Sequence, residues 1–251
     1  NVSIIGGGIA GLSTAIGLKQ LDPAISVTIY EKHKKIAFNH NARCCGEAFF
    51  SEKDNKWIPE KTSYYNKILE TDVIIGDKTY TERFPVEHCP TFMLNKPMFI
   101  NQLAEKAKEC NVEFITDKKI KRPKEIDADV IIDASGCPSC IRKSLGIDHG
   151  MKGLTYQETL ADCNCFQRNK ILIYYFGNVG YYWVFPRDPN KKEVNVGVGI
   201  LDTEKVSLPN LLAQFRKKMN IKGDPVYYAG GQIPLGLQRP LKKDNILFVG
   251  D

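Results

Sequence analysis

The sequence predicts an α/β protein: a parallel-sheet domain begins and ends the chain and encloses an antiparallel, β-rich insertion. Three observations predict it. A strand, a glycine cluster, a helix and a second strand ending in an acid follow one another within residues 1–31. Two more short apolar strands, at 129–133 and 245–249, each run into a glycine turn. Beyond residue 150, short strand-like segments separated by turns succeed one another, the pattern of an antiparallel sheet. The expected division places 1–72, 96–150 and 243–251 in the nucleotide-binding domain. Residues 73–95 and 151–242 form the substrate-binding insertion.

Each element has its own justification. Val2-Ser3-Ile4-Ile5 reads as a buried strand, and Gly6-Gly7-Gly8-Ile9-Ala10-Gly11 follows without a spacer. A helix is expected over Leu12–Leu21 and a strand over Val27–Tyr30, ending in Glu31, 20 residues beyond Gly11. That order gives the glycines distinct tasks. Gly6 permits a tight turn, Gly8 lets backbone approach a pyrophosphate, and Gly11 lets the helix pack closely on the strand. The helix N-terminus offers N–H groups to phosphate oxygens, and Glu31 is placed to accept from a ribose. Residues 32–60 are polar and irregular, and a loop of that length inside a domain is usually functional. Asp72–Tyr80 alternates as a hairpin around Gly76-Asp77, and residues 97–110 have helical periodicity leading into a strand at 112–115. Strand-like segments are expected over 154–165, 170–176, 181–185 and 193–200, with turn chemistry at Pro186–Asn190 and a helix over 208–219. Within one strand Tyr181, Trp183 and Phe185 point to one face and form an aromatic wall.

Composition narrows the class. With 43% hydrophobic and 25% charged residues, the chain is that of a soluble globular protein. No apolar run approaches the ~18 residues that span a bilayer, and the first residues read as core strand rather than signal peptide. A net charge of +6 is mild, and no basic run interleaved with aromatics suggests nucleic acid. The eight cysteines lack the paired spacing of a metal site, so buried free thiols in a reducing cytoplasm are expected, with no metal.

Three further segments add a family resemblance. Asp133-Ala134-Ser135-Gly136 and Val249-Gly250-Asp251, in that order after the amino-terminal glycines, resemble the p-hydroxybenzoate hydroxylase-like flavoprotein superfamily. The resemblance implies a Rossmann-like FAD-binding domain, with Gly250 and Asp251 contacting FAD and Ala134 and Gly136 approaching it closely. Tyr181-Tyr182-Trp183-Val184-Phe185-Pro186, followed by Asn195-Val196-Gly197-Val198-Gly199, is similar to the signature of the geranylgeranyl reductase family. Arg43-Cys44-Cys45-Gly46-Glu47 resembles that family's C-G-E segment.

By this resemblance Tyr181, Trp183, Phe185 and Pro186 bind substrate, Cys45 faces the flavin as candidate acid, and Arg43 and Lys96 reach the cofactor. Lys96 stands where the family often has Arg, and Asn178 where it has Pro. The family's helix after Gly250-Asp251 is missing, so the chain reads as C-terminally truncated. The implied activity is FAD-dependent saturation of C=C bonds in a polyprenyl lipid. NADPH or reduced ferredoxin is the implied donor, and peripheral membrane contact is expected. A flavin monooxygenase on the same fold and a fragment without activity of its own are the rival readings.

Overall fold

The computed structural model describes residues 1–37, 45–51, 57–85, 91–148, 150–177, 180–201 and 206–250. The chain divides into two compact units: Asn1–Arg43, Pro97–Lys152 and Ile233–Asp251 form the first, Cys44–Lys96 and Gly153–Gln232 the second. Strands and helices are numbered below in chain order. Among the described residues no helix is long and apolar enough to cross a membrane.

In the first unit β1 (Val2–Ile5), β2 (Val27–Tyr30), β8 (Glu113–Ile115), β9 (Val130–Asp133), β15 (Lys242–Lys243) and β16 (Ile246–Phe248) build one sheet, in the order β15-β16-β9-β1-β2-β8. Only β15 runs antiparallel; the other strands run the same way. Helix α1 (Ile9–Leu21) buries Leu12, Ala15 and Ile16, one face at helical spacing. The sheet core joins Ile5, Ile131, Ile246 and Phe248 to Ile141 of the short α3 (Cys140–Ser144). Register aligns Ile5, Asp133 and Phe248, so the three strands release their chain at one edge of the sheet.

The second unit carries a small sheet, β3 (Ala48–Phe50), β7 (Thr91–Leu94) and β4 (Tyr64–Ile68), ordered β3-β7-β4. Its larger sheet contains β5 (Glu70–Ile75), β6 (Lys78–Arg83), β10 (Lys152–Ala161), β11 (Lys170–Phe176), β12 (Gly180–Pro186), β13 (Val194–Leu201) and β14 (Asp224–Pro234). The order is β14-β10-β13-β12-β11-β5-β6, antiparallel at the described pairings except for β11 beside β5. One face packs Val184, Val194, Val196 and Val198 against Leu212 and Phe215 of α4 (Leu208–Lys218). Tyr182 stacks on Phe215 there, centroids 4.2 Å apart. On the other face Ile68 and Met93 of the small sheet cover Ile171, Ile173 and Phe185.

Apart from shifts of one or two residues at Lys96 and Met151–Lys152, the sequence boundaries need correction at two places. Residues 44–72 belong to the second unit, because β5 pairs along its whole length with β11 and β4 pairs with β7. Residues 233–242 belong to the first, where the buried Arg142 guanidinium donates to the carbonyls of Gln238, Arg239 and Pro240. Helix α2 (Lys96–Glu109) starts one residue earlier than its periodicity suggests, with Pro97 in its first turn, where a missing N–H costs nothing.

Candidate functional site

The first unit gathers most of the expected nucleotide-binding residues. Gly6 has φ +109°, and a Cβ on it would lie 2.4 Å from the Ala134 carbonyl oxygen. A Cβ on Gly11 would lie 2.0 Å from the Gly6 carbonyl oxygen, so any side chain there pushes helix from strand. Gly8 is different. Nothing lies within 4 Å of its missing side chain, which leaves backbone open to a ligand. Gly8 also caps α1, whose first turn holds no acidic residue. The N–H groups ahead of Leu12 have no intrahelical acceptor, so the start of the helix offers donors to an anion.

Glu31 is buried behind this loop. Its Oε2 accepts from the Gly7 N–H at 2.9 Å, and its Oε1 from the His33 N–H at 3.0 Å. Oε1 also lies 2.5 Å from His33 Nδ1, so Oε2, with one partner, is the oxygen that retains capacity. Asp133 ends β9 and organises the second turn, accepting from the Ser135 hydroxyl at 2.6 Å and the Ser139 hydroxyl at 2.5 Å. That turn carries Ala134 to Gly136, which has φ +83°. Gly250, with φ +73°, ends the third turn, and a Cβ on it would lie 2.6 Å from Ala10 Cβ. The turns at 8, 136 and 250 therefore meet at one sheet edge. Beside them a cavity of 280 Å³ is lined by Gly136, Ser139, Arg142, Leu237, Phe248 and Gly250, among others. Open backbone at Gly8, free helix N–H groups and this cavity fit a dinucleotide. Arg43 and Asp251 lie outside the described residues.

The second unit holds the rest. Tyr181, Trp183 and Phe185 share a face, with neighbouring centroids 5.8 and 6.2 Å apart. Their partners across the β12–β13 ladder are Gly199, Gly197 and Asn195. This pairing explains why glycines alternate in β13. A Cβ on Gly197 would lie 2.0 Å from the Trp183 ring, so the indole lies directly on bare backbone. Pro186 alternates to the opposite face and is buried. It does not join the wall; its carbonyl accepts from Asn66 Nδ2 at 3.0 Å.

The C-G-E segment docks on this face through backbone. The Cys45 carbonyl accepts from Gln157 Nε2 at 2.9 Å and the Gly46 carbonyl from Asn195 Nδ2 at 3.0 Å. Gly46 has no room for a side chain, since a Cβ would lie 2.7 Å from the Phe185 ring. Cys45 keeps an exposed surface, yet its Sγ accepts from the Glu47 N–H at 3.2 Å. Burial of the sulfur raises the thiol's pKa, opposed by the Lys96 charge, which stands close enough to hydrogen-bond it. Lys96 thus belongs with the second unit and with Cys45.

Sequence reasoning missed the ion cluster beneath this segment. Glu47 is 1% exposed, with φ +65°, an unusual backbone for a side chain of its size. Its Oε2 receives Arg187 Nε at 2.5 Å and Asn195 Nδ2 at 3.3 Å. Arg187 also binds Glu193, and its third nitrogen donates to the Tyr65 hydroxyl at 2.8 Å. Thr159 in turn fixes Asn195, Oγ1 to Oδ1, at 2.7 Å. Burial works against the Arg187 charge, but Glu47 and Glu193 outweigh it and hold the guanidinium protonated. Arg187 reads in sequence as one member of a polar turn; only its place directly after the aromatic run hints at more. Among the described cysteines only Cys163 is buried, which corrects the expectation of buried thiols. Its Sγ lies 3.3 Å from that of Cys165, a contact that lowers the Cys163 pKa to about 7.

Comparison with known proteins agrees with this architecture. A model of the NAD(P)-binding Rossmann-like domain matches residues 4–44. A solved geranylgeranyl bacteriochlorophyll reductase-like protein of Thermoplasma acidophilum superposes with TM-score 0.84 at 17% identity, covering 100% of this chain and 70% of that one. The chain shares the fold of that reductase-like protein. Among curated proteins, digeranylgeranylglycerophospholipid reductase 2 of Methanothermobacter thermautotrophicus is 22% identical over 100% of this chain and 70% of its own length. Digeranylgeranylglycerophospholipid reductase 1 of Methanosphaera stadtmanae is 24% identical over 100% of this chain and 68% of its own. The reductase-like fold is shared more widely: a flavin-dependent brominase has TM-score 0.76 at 16% identity, covering 100% of this chain and 72% of that one.

Proposed function

We propose that this protein is an FAD-dependent reductase that saturates C=C bonds in a polyprenyl lipid of geranylgeranyl type. One observation carries the reading: Tyr181, Trp183 and Phe185 form a continuous aromatic face, the first two opposite Gly199 and Gly197, with Gly46 of the docked segment seated on Phe185. Such a surface suits a long apolar chain better than a small polar ring. The names of the curated relatives support the same substrate class.

When bound and reduced by the electron donor, FAD would supply the hydride. Gly6, Gly8 and Gly11 admit its pyrophosphate to the start of α1, Glu31 accepts from a ribose, and Ala134, Gly136 and Gly250 allow close passage of the remainder. Arg43 and Asp251 complete the set by resemblance. An isolated alkene has no carbonyl to share developing charge, so the protein must hold the carbons still, exclude water and supply a proton. The aromatic face does the first two. Cys45 holds the proton on Sγ, and its raised pKa keeps the thiol protonated at neutral pH. Lys96 stabilises the sulfur once the proton has left. NADPH or reduced ferredoxin is the electron donor, and the lipid brings the protein to the membrane surface.

The test is an absorbance spectrum of the purified protein, followed by anaerobic reoxidation of its reduced flavin by a geranylgeranyl lipid. A yellow protein reoxidised by the lipid, with a saturated product, is expected. A colourless protein that refuses FAD would end the reading. Oxygen consumption coupled to NADPH, with a hydroxylated product, would replace it by the monooxygenase alternative.

A further inference from the structure

The aromatic wall does not end at Tyr181. Across the ladder Tyr181 faces Tyr175 of β11, with centroids 5.8 Å apart. Tyr175 is beside Ile75 of β5, which faces Lys78 of β6. The adjacent row runs in step, from Trp183 through Ile173 and Val73 to Tyr80. Two rows thus cross the face that carries the wall: the Trp183 row is apolar over four strands, and the Tyr181 row over three, ending in Lys78. Three inter-strand spacings make the track roughly 14 Å long, the extent of a chain rather than a ring. Exposure rises along it, from 5% at Trp183 to 48% at Tyr175, 51% at Ile75 and 56% at Tyr80.

The opposite face of the same hairpin has another character. Lys170 bridges Glu70 and Asp72 at 2.5 Å each, Arg83 pairs with Glu70 at 2.9 Å, and Thr81 donates to Asp72 at 2.7 Å. This charged network holds the orientation of β5 and β6 and so keeps Val73, Ile75 and Tyr80 on the track face. Scattered exposed apolar residues are ordinary on any protein; a graded strip that joins a buried aromatic wall ring by ring is not.

We propose that this track is a substrate subsite holding the part of the polyprenyl chain that lies beyond the bond being reduced. The proposal rests on the reductase reading and names Tyr175, Ile75 and Tyr80 as determinants of chain length. Its occupant follows from the continuity with the wall: a flexible apolar chain seated on Tyr181, the accessible end of the wall, has this strip as its extension. Tyrosines suit the exposed end, since the ring lies against the chain while the hydroxyl stays in water.

The experiment compares wild-type holoenzyme with the triple variant Tyr175→Ser, Ile75→Ser, Tyr80→Ser, using geranylgeranyl and geranyl lipids of one headgroup. All three positions are exposed, so the variant retains the fold, verified by its urea midpoint and flavin spectrum. KM for the geranylgeranyl lipid is expected to rise about tenfold, the loss of two to three apolar contacts, with little change for the geranyl lipid. Equal loss for both lipids, or for neither, would overturn the subsite. Direct binding of the two lipids to the oxidised protein separates this proposal from the reading beneath it. A chain-length preference that the triple variant abolishes supports the track even if no lipid is turned over, in which case the reductase reading alone falls. If the variant converts a dimer to monomer and leaves lipid binding unchanged, the strip is a contact between copies and the subsite is wrong.

Discussion

Gly8 and Gly11 stand three residues apart and answer to different forces. Gly11→Ala places a methyl 2.0 Å from the Gly6 carbonyl oxygen, between two pieces of backbone that cannot swing aside. A loss of about 1–3 kcal/mol is expected for such overpacking, measured by urea denaturation of the FAD-free protein. Gly8→Ala meets nothing within 4 Å. It should cost less than about 1 kcal/mol, the scale of a changed helix cap, yet weaken FAD binding at least about tenfold. Equal effects of the two substitutions on stability would show that Gly8 has a packing role. At Cys45 the raised pKa gives a separate expectation: alkylation by iodoacetamide should accelerate only above the pH at which a free cysteine ionises. In Lys96→Gln that onset should move higher still, since the opposing charge is gone. Cys45→Ala should slow flavin reoxidation by lipid about 100-fold, the lower range for loss of a general acid. Full turnover in that variant would remove the acid role. Arg187→Ala would leave Glu47 and Glu193 buried without their cation, and a loss of about 3–5 kcal/mol is expected from thermal or urea unfolding.

Between elements, the β12–β13 ladder makes two sequence features into one physical object. Alternation alone placed Tyr181, Trp183 and Phe185 on one face, as the structure has them. It did not show that Gly197 and Gly199 lie opposite the rings; that depends on register. Gly197→Ala should displace the indole, seen as a shift in Trp183 fluorescence, and raise KM for lipid while leaving FAD binding unchanged. The strand β14 was not legible in the sequence. Asp224–Pro234 contains adjacent glycines and begins and ends near prolines, which read as turn chemistry. At the edge of its sheet such residues are tolerated, because one side of the strand needs no ladder partner. The parallel pairing of β5 with β11 was equally hidden, and with it the membership of residues 44–72. A hairpin is a local signal; its docking partner is not.

For the molecule as a whole, convergence of the turns at 8, 136 and 250 follows from the β16-β9-β1 strand order and shared parallel direction. A ligand spanning those turns should stabilise the native state by linkage. At a hundredfold excess over its Kd, FAD should add about 2.7 kcal/mol, read as a higher urea midpoint, and Gly8→Ala should show much less of it at the same concentration. The sequence by itself determined what nearby residues decide: which glycines the backbone requires, which strands alternate, and the order of elements that signals a dinucleotide site. Only the tertiary structure decided that Glu47 meets Arg187 across 140 residues and that Arg142 claims residues 238–240 for the first unit. The reason is physical. Backbone conformation and facing are set by short-range sterics, whereas a buried charge finds its partner through sheet order and register, which are properties of the assembled fold.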